Sequence, residues 1–198
     1  MGKLSRRTKI IIAFVAIVVA GYLLVHFTQK SAAVPQNFTD ARSQGAIIAQ
    51  NIVNLSNQST AQLEQVDQLD QQGNYKDALA IVTTLVSQST DIRNQAVDLS
   101  TQVENMTQAL SGISNFDAQQ AALEAISNRL ALINQLINYS GDLGNLLSVL
   151  QGRFSGSGGT NTQVTTLVNQ INTDVNAINN FNSQAGQAMD RFDAIVGK

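Results

Sequence analysis

The sequence predicts an all-α protein: an N-terminal transmembrane helix followed by an extracytoplasmic antiparallel, up-down-up-down four-helix bundle of long, heptad-patterned helices. Three observations predict it. An uncharged apolar run follows a basic start; core-type residues then recur at alternating steps of three and four through four segments; and breaks rich in Gly and Asn separate those segments.

Residues 1–9, MGKLSRRTK, carry Lys3, Arg6, Arg7 and Lys9, and Ile10 to Phe27 carry no charged side chain. At about 1.5 Å per residue such a run just spans a ~30 Å hydrocarbon layer. Flanking basic residues stay on the cytoplasmic side. Residues 1–9 are therefore expected in the cytoplasm and 10–27 in the lipid of the plasma membrane. Residues 28–38 then form a juxtamembrane linker, and 39–198 lie outside, periplasmic or extracellular. Ser31 to Val34 also offer small residues at a suitable signal-peptidase position, but the apolar run is longer than the about 7 to 15 residues of a signal core, which favours a retained anchor. The chain has no Cys, so disulfides, thiolate zinc sites and covalent haem attachment are excluded. Gly2 is followed by Arg6 where a myristoylation pattern wants Ser or Thr.

Beyond the anchor the chain is rich in Gln, Asn, Ser and Thr, and periodicity decides between disorder and helix. The first segment repeats from Ala41, Gly45, Ile48 and Ile52 through Ser59 and Val66 to Leu69. The second picks out Val82, Leu85, Ser89, Ile92, Ala96, Leu99, Val103, Met106 and Leu110. The third gives Leu123, Ile126, Leu130, Ile133, Ile137, Ser140, Gly144 and Leu147, and the fourth runs from Val164 and Val168 to Met189, Phe192 and Val196. A 3.5-residue repeat sustained over several heptads marks helices packed side by side at shallow angles. Flanking apolar residues such as Ile47, Leu79, Leu136 and Phe181 widen each face, which suits a bundle core.

Punctuation sets the boundaries at about 39–72, 75–111, 115–150 and 163–196. Pro35 ends anything continuous with the membrane span, and Thr39 or Asp40 can cap the first helix of the bundle. Gly73–Asn74 and Gly112–Asn115 break the next pairs, and residues 151–163, QGRFSGSGGTNTQ, read as a flexible connector. Asn37, Asn74 and Asn115 each precede an aromatic at a predicted helix start, where Asn accepts from free backbone N–H groups. Short turns make neighbours antiparallel, so the Gly73 turn and the Gly/Ser connector point away from the membrane and the Gly112 turn faces it.

Two resemblances bear on function. Gly73, Tyr75, Ala78 and Leu79 in LDQQGNYKDAL look like the inter-helix turn of a tetratricopeptide repeat. A step of about 34 residues lands on Thr107, Ala109 and Gly112, where the pattern does not recur, so no array is expected. In helix number and polar composition the chain also resembles the four-helix ectodomains of bacterial chemoreceptors. Those pass a signal through a second span, and the chain is expected to lack one.

Catalytic chemistry finds few candidates. The one histidine, His26, lies in the apolar run, so neither a Glu-x-x-His di-metal site nor a Ser-His or Cys-His nucleophile can be assembled. The loop GSGGTNT lacks the GK[ST] ending of a phosphate cradle. We therefore expect no enzyme, no catalytic residue, no metal and no cofactor. Acidic residues outnumber basic ones beyond the anchor, the wrong sign for a nucleic-acid partner.

Two features remain as candidate sites. Ser59, Ser89, Ser140 and Asp174 stand at similar distances from the distal turns and are expected in one polar core layer, which either holds water or a small ligand or fixes helix register. Tyr75, Lys76, Arg153 and Phe154 are expected together at the distal tip, an aromatic and basic set on loop backbone suited to docking. The expected function is a structural, scaffolding or accessory interaction subunit at the cell envelope, with a protein partner or self-association. The alternative is a sensory or solute-binding ectodomain working with a separate signalling subunit.

Overall fold

The computed structural model describes residues 34–197. These form four long helices, α1 (Gln36–Gln72), α2 (Tyr75–Ala109), α3 (Phe116–Phe154) and α4 (Asn161–Val196), with a 3-10 turn at Leu110–Gly112. No strand occurs among the described residues. The expected transmembrane helix at 10–27 and the basic segment before it lie outside the described residues. Within them, no helix is long and apolar enough to cross a membrane.

Residues about equally far from an intervening turn meet across each consecutive pair, so neighbours run antiparallel. Ser59 Oγ donates to Gln88 Oε1 at 2.9 Å between α1 and α2. Gly144 faces Ser89 between α3 and α2, and Arg191 pairs with Glu124 between α4 and α3. α1 and α4 approach each other less closely along their lengths than these pairs do. They close at one end, called the base here, where the Phe38 and Phe192 rings lie 5.2 Å apart and Arg42 forks onto both Asp193 carboxylate oxygens at 2.7 Å.

Local chemistry explains the turns. Gly73 takes a left-handed φ of 73°, and the N–H groups of Gly73 and Asn74 return to the carbonyls of Asp70 and Leu69, closing α1 in a Schellman motif. The side chain of Asn74 accepts from the N–H of Asp77, and that of Asn115 from Ala118. Thr160 and Gln163 form a reciprocal capping box on α4. Asn37 starts no helix and lies inside the first turn of α1.

Two boundaries depart from the sequence reading. α1 starts at Gln36, with Pro35 as the residue before it and the Pro35 carbonyl accepting from the N–H groups of Phe38 and Thr39. Thr39 lies in the first turn, its hydroxyl bonded to the Gln36 carbonyl, so neither Thr39 nor Asp40 is the cap. α3 continues to Phe154, which turns QGRF from connector into helix. Leu150 and Phe154 sit one turn apart on the buried face, and that burial outweighs the helix penalty of Gly152, ~1 kcal/mol. The remaining Gly/Ser turn is tied down, with the N–H groups of Ser157 and Gly158 both reaching the Gly152 carbonyl.

The core follows the predicted seam of α2 closely: Val82, Leu85, Ser89, Ile92, Ala96, Leu99, Val103 and Met106 are all buried. In α3 the seam is displaced. Ala118, Ala121, Ala122 and Ala125 are buried near the base, while Leu123 and Leu130 face outward. Small side chains let helices approach closely, so the alanine row packs inward and the leucines are left outside.

Candidate interaction surfaces

At the distal end the structure brings three of the four expected tip residues together. Tyr75 and Phe154 stack with ring centroids 5.8 Å apart. Arg153 Nη2 donates to both Asp70 carboxylate oxygens, at 3.1 and 2.9 Å, and its Nη1 to Asn161 Oδ1 at 2.7 Å. Lys76 stands apart on the exposed face. Phe154 is buried and Tyr75 half-buried, and the Arg153 and Asp70 side chains are 14% and 3% exposed, so these groups join α1, α2, α3 and α4 to one another. Burial pushes the Asp70 carboxyl above its ordinary range, with Arg153 pulling it back down. Asp70 was not singled out from sequence, although its place in the last turn of α1 levels it with the α3 terminus.

The four expected polar-layer residues do not join into one network. Ser59, Ser89 and Ser140 are buried, and Asp174 is half-buried. Ser59 bonds to Gln88, whereas the Ser89 and Ser140 hydroxyls turn back onto the carbonyls of Val86 and Ile137 in their own helices. Asp174 faces Asp142 across α3–α4, and its pKa is pushed up to about 6 by burial and then by the charge and hydrogen bond of Asp142. Gln88 and Asp142 are the partners that residue-by-residue spacing missed.

Two further features surround this level. A cavity of about 20 Å³ lies between α1, α3 and α4, lined by Thr60, Leu63, Tyr139, Leu143, Val168 and Asn172 among others. Such a volume holds about one water. Burial pushes the Tyr139 hydroxyl up to about 12, with a hydrogen bond to Ser56 opposing the shift.

Nearer the base, Arg129 enters the α2–α3 packing and donates to Met106 Sδ at 3.8 Å. It finds no carboxylate within ion-pair distance among the described residues, and burial, with the Arg42 charge, lowers its pKa to about 10. Gly45 of α1 lies beside it: a Cβ there would stand 3.8 Å from Arg129 Nη1, in ordinary van der Waals contact.

The outer wall carries the last feature. Among the described residues the exposed large apolar side chains are Ile47 on α1, Val86 and Val97 on α2, and Phe116, Leu123 and Leu130 on α3, so all but one of these lie on the α2–α3 hairpin. No group of three or more Asp, Glu, His or Cys side chains that could hold a metal occurs among the described residues. Comparison with protein-family models, curated proteins and solved structures yields no match.

Proposed function

We propose that the chain is a single-pass membrane protein whose helical bundle lies outside the cytoplasm and acts as a structural, scaffolding or accessory interaction subunit at the cell envelope. The observation that carries this reading is the basic start followed by the uncharged run Ile10 to Phe27, joined directly to a bundle of polar-walled helices. The bundle's geometry is compatible with it. Pro35 packs at the base, where a Cβ on Gly112 would stand 2.6 Å from Pro35 Cγ, so the N-terminal segment leads off one end of the bundle. The long helices project the opposite end about 50 Å away at the helical rise.

Bundle walls of this kind serve as contact surfaces: Asp70, Glu124 and Asp193 are held in ion pairs between helices, and the buried Ser89 and Ser140 hydroxyls turn back onto carbonyls of their own helices. The sensory alternative needs a chamber for a solute, and the cavity between α1, α3 and α4 accommodates a water. Alkaline extraction of cell membranes, combined with protease accessibility of the bundle in intact cells, tests the proposal. Retention in the membrane with the bundle cleaved from outside is expected; release by alkali, or a bundle cleaved only after lysis, overturns it.

A further inference from the structure

Arg129 stands at the centre of the inward face of α3. Ala122, Ala125, Ile126, Ile133 and Leu136, its neighbours one and two turns away on that face, are all buried. A long cationic side chain therefore starts where the helix pattern calls for an apolar one. Protein surrounds its charged end, with Met106 Sδ 3.8 Å from Nη1 and Gly45 of α1 beside it.

That charge meets no opposite charge on the chain. All fourteen Asp and Glu lie among the described residues, and none of them is within ion-pair distance of Arg129. The charged group that acts on it is Arg42, of the same sign. Arg42 already holds both Asp193 carboxylate oxygens at 2.7 Å. With its pKa lowered only to about 10, Arg129 keeps its proton at neutral pH and cannot shed the charge. Its hydrogen bond among the described residues goes to a thioether, a weak acceptor, which leaves most of the guanidinium fork to other acceptors.

We infer that Arg129, with Arg42 nearby, binds a monovalent inorganic anion of the chloride class inside the basal half of the bundle. Water can accept from the free N–H groups, but it leaves the charge uncompensated, and an isolated buried charge is strongly unfavourable. An anion meets both needs. Charge selects its class: two guanidiniums against the one Asp193 carboxylate leave a single positive charge, which a monovalent anion neutralises and a divalent one exceeds. The surroundings agree, because the buried Leu99 and Met106 side chains offer no donors to replace the hydration of a phosphate or sulfate. Access is open, since Arg129 is only half-buried and an ion reaches it without the helices parting. The inference concerns the bundle itself and holds whether or not the chain is anchored in a membrane.

Thermal unfolding of the full chain in mild detergent, followed by circular dichroism, tests it at constant ionic strength with chloride exchanged for bulky gluconate. An anion that binds only the folded state, once above its dissociation constant, raises the folded-to-unfolded ratio about tenfold for each tenfold rise in concentration. Arg129→Met keeps an apolar stem and removes the charge, so it should be at least as stable as the wild type in gluconate and gain nothing from chloride. Arg93→Met removes a cation from the exposed face of α2 and should keep the gain. Chloride NMR of the folded wild type supplies a second readout that requires no variant to fold: line broadening by the protein, relieved by bromide and not by gluconate, is expected. An equal chloride gain in the wild type and Arg129→Met, or stability and line width both indifferent to chloride, overturns the inference. A gain that depends on Arg129 and comes from inorganic phosphate but not from chloride overturns the monovalent assignment.

Discussion

Replacing Arg153 with Met removes the cation from the distal end while keeping most of the side chain's apolar stem. The Asp70 carboxylate it leaves behind is almost wholly enclosed and receives both of its contacts from the one guanidinium nitrogen, at 3.1 and 2.9 Å. Removing one member of a fully buried pair costs about 3–5 kcal/mol; with Arg153 itself 14% exposed, water reaches the site and roughly 2–3 kcal/mol is expected. The pH dependence has a definite sign. Burial already holds the Asp70 pKa above its ordinary 3.8, and Arg153 is the largest influence lowering it. Without Arg153 the folded-state pKa rises further. The stabilisation from protonated Asp70 is complete below the unfolded pKa and is lost as pH rises through the folded one. The deficit of Arg153→Met is therefore largest at neutral pH and shrinks on acidification. Asp70→Asn combined with Arg153→Met removes both charges and should recover most of the loss, because the uncompensated carboxylate, rather than the missing attraction, is the main cost. Urea denaturation followed by circular dichroism at pH 7 and pH 4.5, with constant m-values, measures all three variants. A single-variant loss below about 0.5 kcal/mol, or a double variant no more stable than the single one, refutes the reasoning.

Three further outcomes are expected. Asp174, raised to about 6 beside Asp142, stabilises the fold most below its unfolded pKa and loses that contribution as pH rises through 6. The full shift is worth about 3 kcal/mol, and partial exposure reduces it to roughly 1–2; Asp174→Asn should flatten the stability profile between pH 5 and 7.5, and an unchanged slope would discard the carboxylate pair. Leu123→Gln should alter thermal stability by less than about 0.5 kcal/mol, whereas Ile126→Val, three residues on but buried, should cost about 1 kcal/mol, as scanning calorimetry can resolve. Gly159→Ala meets both a φ of +91° and the Val149 carbonyl, so it should destabilise by more than about 2 kcal/mol; Gly73→Ala, at φ +73° with open space around it, should cost ~1 kcal/mol.

How much was legible depended on whether local pattern and tertiary packing agreed. α2 was read almost completely, because its large apolar residues form one uninterrupted row with polar residues on either side. α3 carries two competing rows, one rich in Leu and one in Ala. Hydrophobicity favours the first, but the close approach of neighbours near the base admits only the second, and no local signal reports interhelical distance. The Gly/Ser connector was overextended for a similar reason. Gly152 reads as a breaker until Leu150, Phe154 and Arg153 are given their partners, and those partners are remote: Asp70 is 83 residues away from Arg153. Caps made by adjacent residues, such as Asn74 and Asn115, were readable because cause and effect lie within one turn. The partners of the polar core were not, since Ser59 needed Gln88 and Asp174 needed Asp142.

Closure of α1 against α4 at the base also sets how the molecule bears force. Val34 and Val196 lie at the same end, so a pull that separates them meets Phe38–Phe192 and Arg42–Asp193 first and then peels α1 from α2 turn by turn, loading few contacts at any moment. A pull directed along α1, with the rest of the bundle held at the Gly73 end, stretches the whole α1–α2 interface at once and must slide it in shear. The same helix is therefore weak against unzipping and strong against axial tension, and a load carried between an anchor at the base and a partner at the far end would act along its strong direction.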